Sequence, residues 1–275
     1  MRVLNFISIL FLIYSCGSTE SSMEQESEVT LTVDSVQHDS IPIFDSLTTD
    51  AYNVAWSDTN RPILIDAYGA NAIDWTKMQT DKRVVAIIHK SSQGLNTAEK
   101  YTARRTKAKA LGYLWGSYHL GTNDDPIQQA DLYLKTIGDI DNEVIALDLE
   151  DISKPKFMNL ENALIFIKYI HQKTGRYPFL YCNHSVMKAI SRKHGRDSLF
   201  SKCPLWYARF TSKIQNFKND TWSDYTFWQF SCELNCSKTG ECLYNLPGTR
   251  YDMDVNVYFG STAELKYKWG RLGRD

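Results

Sequence analysis

Charge bias is missing from this chain: 31 basic residues face 32 acidic ones, for a formal net charge of −1. A nucleic-acid binder would carry a basic face, so that class is set aside. Nor is there an apolar run of the about 20 residues that a membrane-spanning helix needs. The run Leu4 to Tyr14, after Met1-Arg2 and before Ser15-Cys16, is shorter and fits a secretory leader. Between Gly17 and about Ser40 Lys and Arg are absent, while Ser, Thr and Glu abound. Such a stretch cannot bury enough apolar surface to order itself and reads as a solvated tether. Paired CxxC spacing is lacking too. Beyond Cys16 stand Cys182, Cys203, Cys232, Cys236 and Cys242, and no His lies in the loop holding the last three. Zinc is therefore not expected. One local disulfide is expected among those three, its pairing left open, and the odd count leaves at least one thiol over.

What is present is a domain rich in Trp and Tyr, roughly 230 residues from about Ile41 onward, a length that suits one α/β unit. Strand-like runs at Pro62 to Ala67, Val84 to His89, Gly112 to His119, Glu143 to Glu150 and Phe179 to Cys182 alternate with helical stretches. These open at Ile73-Asp74-Trp75 and then run from about Thr97 to Ala110, Pro126 to Ile137, Leu160 to Thr174 and about Val186 to Lys193. Three more strands, Leu205 to Phe210, Thr226 to Ser231 and Met253 to Phe259, follow without a helical period between them. Alternation of this kind marks parallel β/α units. The expected fold is α/β, an irregular TIM-like (β/α)5(β)3 barrel. The expected boundaries are a leader at 1–15, a tether at 16–58, the barrel at 59–262 and a C-terminal tail at 263–275.

The segment Val144-Ile145-Ala146-Leu147-Asp148-Leu149-Glu150 carries the chemistry. Alternate strand residues face opposite sides, so Asp148 and Glu150 project together while Leu147 and Leu149 face away. Two close acids at an apolar strand end do not both ionise freely, and one becomes a proton donor near neutral pH. Carboxylates with separated pKa values are the working parts of glycoside hydrolysis. The same two side chains would also serve as a helix cap or as partners for a surface lysine.

Six blocks in order resemble glycoside hydrolase family 25, the Chalaropsis-type lysozymes. They are Leu64-Ile65-Asp66 with Ile73-Asp74-Trp75, then Gly112-Tyr113 with Gly116-Ser117-Tyr118-His119, and Leu147-Asp148-Leu149-Glu150. Leu205-Trp206-Tyr207-Ala208-Arg209, Phe227-Trp228-Gln229-Phe230 and Met253-Asp254-Val255-Asn256 complete them. The resemblance implies a lysozyme (N-acetylmuramidase) that cuts the β-1,4 bond between N-acetylmuramic acid and N-acetylglucosamine in peptidoglycan, with retention and without metal or cofactor. It implies Glu150 as general acid, Asp148 as the residue that orients the substrate's 2-acetamido group, and Asp66 and Asp254 as flanking acids. A direct nucleophilic role for Asp148 stays open. Tyr118, Tyr181, Trp206, Trp228 and Lys90 are candidates for substrate contact, each aromatic serving packing equally well. His89 could touch substrate beside Lys90, whereas His119 reads as a core histidine. Arg209 reads as an ordinary surface ion pair. Gln93 stands where the family commonly has Glu, and the Cys232 to Cys242 loop looks inserted. Ile13-Tyr14-Ser15-Cys16 resembles a bacterial lipobox, which implies a lipid on Cys16 and a place at the cell envelope, periplasmic or surface-exposed; a monomer is expected. A catalytically silent barrel that binds wall glycan, and a hydrolase of another N-acetylglucosamine polymer such as chitin, are the competing readings.

Overall fold

The computed structural model describes residues 56–214, 217, 219–237 and 239–274. The expected leader, Cys16 and all but the last three residues of the expected tether lie outside them. Those three already belong to the domain. Trp56 stacks on Phe230 with ring centroids 5.0 Å apart, and Asp58 pairs with Arg61 at 2.9 Å. The domain thus reaches back to Trp56 instead of starting at 59.

Among the described residues nine strands form one sheet: β1 (Ile63–Ala67), β2 (Val84–Gln93), β3 (Asn96–Thr97), β4 (Leu114–Leu120), β5 (Val144–Asp148), β6 (Phe179–Asn183), β7 (Leu205–Ala208), β8 (Phe227–Ser231) and β9 (Asp254–Tyr258). From β1 through β2, β4, β5, β6 and β7 to β8 all neighbours pair in parallel. Antiparallel β9 closes the ring between β8 and β1. Five helices fill the first five crossovers: α1 (Trp75–Met78), α2 (Tyr101–Ala110), α3 (Pro126–Ile137), α4 (Leu160–Thr174) and α5 (His184–His194). This is the irregular α/β barrel expected from the sequence. Local chemistry sets the helix ends. Asp125 accepts from the amides of Ile127 and Gln128 ahead of Pro126. Gly175, at φ +65°, stops α4.

Strand parity divides the core. Leu64, Ala86, Ile88, Val144, Ala146, Phe179 and Phe227 fill the barrel interior. Ile63, Ile65, Ile87, Ile145, Leu147, Leu180 and Leu205 belong to the cluster shared with the helices. Gly116 of β4 is needed on the inner face, since a Cβ there would meet Ile88 Cγ1 and Val144 Cβ at 3.2 Å.

Two expected segments differ. The helix foreseen from about Thr97 begins only at Tyr101. Here β2 runs on to Gln93, turns at Gly94 (φ +54°) and pairs back with β3. The stretch 263–275, foreseen as a tail, continues a helix, α6 (Thr262–Lys268). Trp269 just after it is buried, donates its indole N–H to the Trp115 carbonyl at 2.7 Å and packs on Phe227 at 5.9 Å. The C-terminal segment therefore plugs the barrel end opposite the acid rim. Seven residues are too few for helical periodicity to show in sequence.

Candidate active site

Parallel strands place their C-terminal ends on one rim, where barrel active sites sit. Asp66 is the penultimate residue of β1, and Asp148 ends β5. β5 stops at Asp148, but the chain stays extended: Leu149 donates its amide to the Tyr181 carbonyl at 3.0 Å. Asn183 Nδ2 donates to the Glu150 carbonyl at 2.8 Å. Leu149 joins Leu147 in the outer cluster, so Glu150 falls on the same side as Asp148. Asp254 comes from the start of its strand. Because β9 runs against the others, its first residue pairs with Asp66 and lands on the same rim.

Asp66, Asp148, Glu150 and Asp254 line one cavity together with Tyr118, Tyr181 and Trp206. Its volume is about 20 Å³, room for about one water. The expected acid set and three of the four expected aromatics are thus brought together. Trp228 is not among them. It lies on the outer face of β8, fully buried, stacked on Phe259 at 6.2 Å and donating its indole N–H to the Arg209 carbonyl at 2.7 Å. Its neighbour Gln229 has the inward parity instead. Lys90 stands just outside the cavity. Its ammonium lies 5.2 Å from the Tyr68 ring centroid and donates to Gln93 Oε1 at 3.2 Å. His89 faces outward, stacked on Trp115 at 5.8 Å and bonded through Nε2 to Arg104. His119 is the expected core histidine, between Ser92, Gln129 and the Phe166 ring. The expected local disulfide joins Cys236 to Cys242.

A polar cradle holds Asp66. Gln229 Nε2 donates to its two oxygens at 2.9 and 3.0 Å, and Asn256 Nδ2 donates to Oδ1 at 2.7 Å. Tyr181 in turn donates to Gln229 Oε1 at 2.7 Å, and the Trp206 indole to Asn256 Oδ1 at 2.6 Å. The sequence reading quoted Gln229 and Asn256 within motifs but assigned them no role. The available signal was parity: Gln229 shares a face with Phe227, and Asn256 shares one with Asp254.

Burial sets the electrostatics. It pushes Asp66 up to about 6, although Asn256 and Gln229 pull the other way. Glu150 is pushed up to about 7 by burial, against the pull of Lys90 and Lys156. Asp148 is held well above the usual carboxylate range by burial, then by Glu150 and Asp66. Asp254 is raised well above it by burial and Asp66. Asp148 Oδ1 is buried with no hydrogen-bond partner among the described residues. The cluster holds protons near neutrality and offers an unsatisfied acceptor, the pairing that acid-catalysed bond cleavage requires. A larger cavity of about 770 Å³, lined by Arg196, Lys202 and Thr221 among others, opens at the opposite ends of β7 and β8 and contains none of the acids.

A family model described as glycosyl hydrolases family 25 matches residues 65–238, more than half of the chain. The chain belongs to that family. It is a glycoside hydrolase. The matched span contains Asp66, Asp148 and Glu150, and Asp254 lies beyond it. Among solved structures, a bacterial lysozyme from Streptomyces coelicolor is 20% identical, with a TM-score of 0.60 over 78% of this chain and 99% of that one. A muramidase from Trichobolus zukalii is 20% identical, with a TM-score of 0.60 over 76% of this chain and 99% of that one. A family GH25 lysozyme from Aspergillus fumigatus is 19% identical, with a TM-score of 0.59 over 78% of this chain and 100% of that one. Identity this low establishes a shared barrel. No curated protein sequence matches significantly. In this family 25 hydrolase Gln93 is exposed and accepts from Lys90.

Proposed function

We propose that this hydrolase is a lysozyme that cleaves the β-1,4 bond between N-acetylmuramic acid and N-acetylglucosamine in peptidoglycan, with retention. Solved relatives of the same fold are named lysozymes and muramidases. The observation that carries the reading is the pairing of a proton-holding Glu150 with a buried, unpartnered acceptor on Asp148 in a pit too small for a sugar ring. A sugar would lie across its mouth, where a 2-acetamido group can turn its N–H toward the acids. Its N–H would meet Asp148, favouring the carboxylate there and leaving the proton on Glu150. Glu150 gives this proton to the leaving glycosidic oxygen as the C–O bond breaks. The acetamido carbonyl oxygen bonds to the anomeric carbon, and Asp148 stabilises the resulting oxazolinium. Water, deprotonated by Glu150, then opens that ring from the face the leaving group left. Asp66, held by its amide cradle, supplies the negative potential around the developing cation, and Asp254 flanks it.

Exchange of Glu150 for Gln tests the assignment. Release of new reducing ends from purified cell walls should fall by at least about 100-fold, with the thermal transition retained. Wild-type activity in that variant would remove Glu150 from the acid role. Cell-wall pull-down without soluble muropeptides would instead support a silent binding barrel, and equal turnover of chitin oligomers a broader substrate.

The proposal extends to location: a lipid on Cys16 holds the enzyme at the bacterial envelope, its barrel reaching wall glycan as a monomer. Membrane fractionation of a Cys16→Ser variant tests this, with the enzyme expected in the soluble fraction. Retention in the membrane would reject the anchor.

A further inference from the structure

Four carboxyls share the rim, and Lys90 of the barrel's inner face is a cation whose charge acts on both Asp148 and Glu150. It has the parity of Ala86 and Ile88, which point into the barrel, and it pairs in register with Tyr118, a wall of the acid cavity. Its ammonium lines a neighbouring cavity of about 590 Å³ together with Tyr68 and Gln93. There the Tyr68 ring lies 5.2 Å away and Gln93 Oε1 accepts at 3.2 Å. An aromatic face and a neutral amide fix the position of the charge without cancelling it. A carboxylate at position 93 would cancel much of it at the same distance.

We propose that Lys90 is a positioning residue for the acid pair: its ammonium, held by the Tyr68 ring and the uncharged Gln93 amide, sets how much negative charge Asp148 and Glu150 share when substrate arrives. The inference rests on the lysozyme reading and specifies how its acid is tuned.

The surrounding charges support it. Burial lowers Lys90 itself, while Asp148 of β5 and Glu150 of its extension raise it. Tyr118 of β4 pairs beside it, and Tyr68, Glu99, Lys100 and Asp124 line the same cavity. Behind the strand, His89 is kept neutral by burial and faces Arg104 of α2, with Lys100 nearby. Lys90 draws both Asp148 and Glu150 toward the ionised form, whereas Lys156 acts on Glu150. Removing the Lys90 charge therefore raises the proton affinity of both acids together. A negative charge at 93 does the same more weakly.

The test is the pH profile of reducing-end release from purified peptidoglycan by the full chain and three variants. In Lys90→Met both limbs of the bell should move to higher pH by about one unit. Gln93→Glu should move them the same way by less, and Lys90→Arg should restore the wild-type position. Gln93 is exposed, so its exchange leaves the core intact even if Lys90→Met folds poorly. Profiles of Lys90→Met and Gln93→Glu that superpose on wild type after uniform scaling of the rate would overturn the proposal. Failure of the parent reading looks different: Glu150→Gln keeps full activity, or wild type releases no reducing ends, and the Lys90 role falls with it.

Discussion

Gln229 shows how one amide can support a buried acid. It gives hydrogen bonds to both Asp66 oxygens and takes one from Tyr181. Leu in its place fills similar space but leaves Asp66 with Asn256 as its remaining amide donor. A buried carboxylate that loses such donors costs about 1–3 kcal/mol, and Asp66 would hold its proton above the present value of about 6. Gln229→Leu should therefore lower the melting temperature more at pH 8, where Asp66 is ionised, than at pH 5, where it is protonated. Calorimetry at the two pH values decides: an equal loss at both would mean that Gln229 serves packing and not the charge. The acids themselves were legible at this scale because strand alternation alone puts Asp148 and Glu150 together. The cradle was not, because its amides come from β8 and β9, and sequence gives no distance between those strands and β1.

At the scale of elements, legibility followed boundary chemistry. α3 and α4 are bounded as expected because Asp125-Pro126 and Gly175 punctuate them. β8 was found, and Trp228, for which substrate contact and packing were both open, lies on its outer face. An all-apolar neighbourhood hides parity, and only the inward Gln229 marks it. β9 was found without its direction. That direction matters most for function, since a parallel β9 would carry Asp254 to the far end of the barrel. Antiparallel pairing with β1 sets Asp254 against Asp66. The β2–β3 hairpin and α6 escaped notice for a shared reason: each is too short for a period to emerge, and each is fixed by contacts distant in sequence. α6 leads into Trp269, which closes the interior below the acids. The barrel's two ends thus have opposite chemistry, an aromatic plug at one and four carboxyls at the other.

For the whole molecule, this arrangement trades stability against function. Unfolded Asp and Glu titrate near about 4, whereas Asp66 and Glu150 are pushed up to about 6 and about 7, and Asp148 and Asp254 higher than the ordinary range. Groups with raised folded values bind protons more tightly in the native state. Their stabilising contribution is complete below the unfolded value and is lost as pH rises through the folded one. Two buried histidines oppose this. His89 and His119 are lowered to about 4 by burial, so they favour the fold increasingly as pH rises from there to about 6.5. Above that point the histidine contribution is constant and the acids act alone. Stability should therefore decline as pH rises above about 6.5, by about 1.4 kcal/mol per pH unit for each acid that keeps its proton in the fold. Asp254→Asn removes one such acid while keeping its shape. It should melt further above wild type at pH 8 than at pH 5, because the penalty grows with pH for as long as buried Asp254 keeps its proton. Equal shifts at both pH values would show that Asp254 is not held protonated by burial and its neighbours. Parallel melting curves would then place the cost of the acid cluster elsewhere than in the work of charging it.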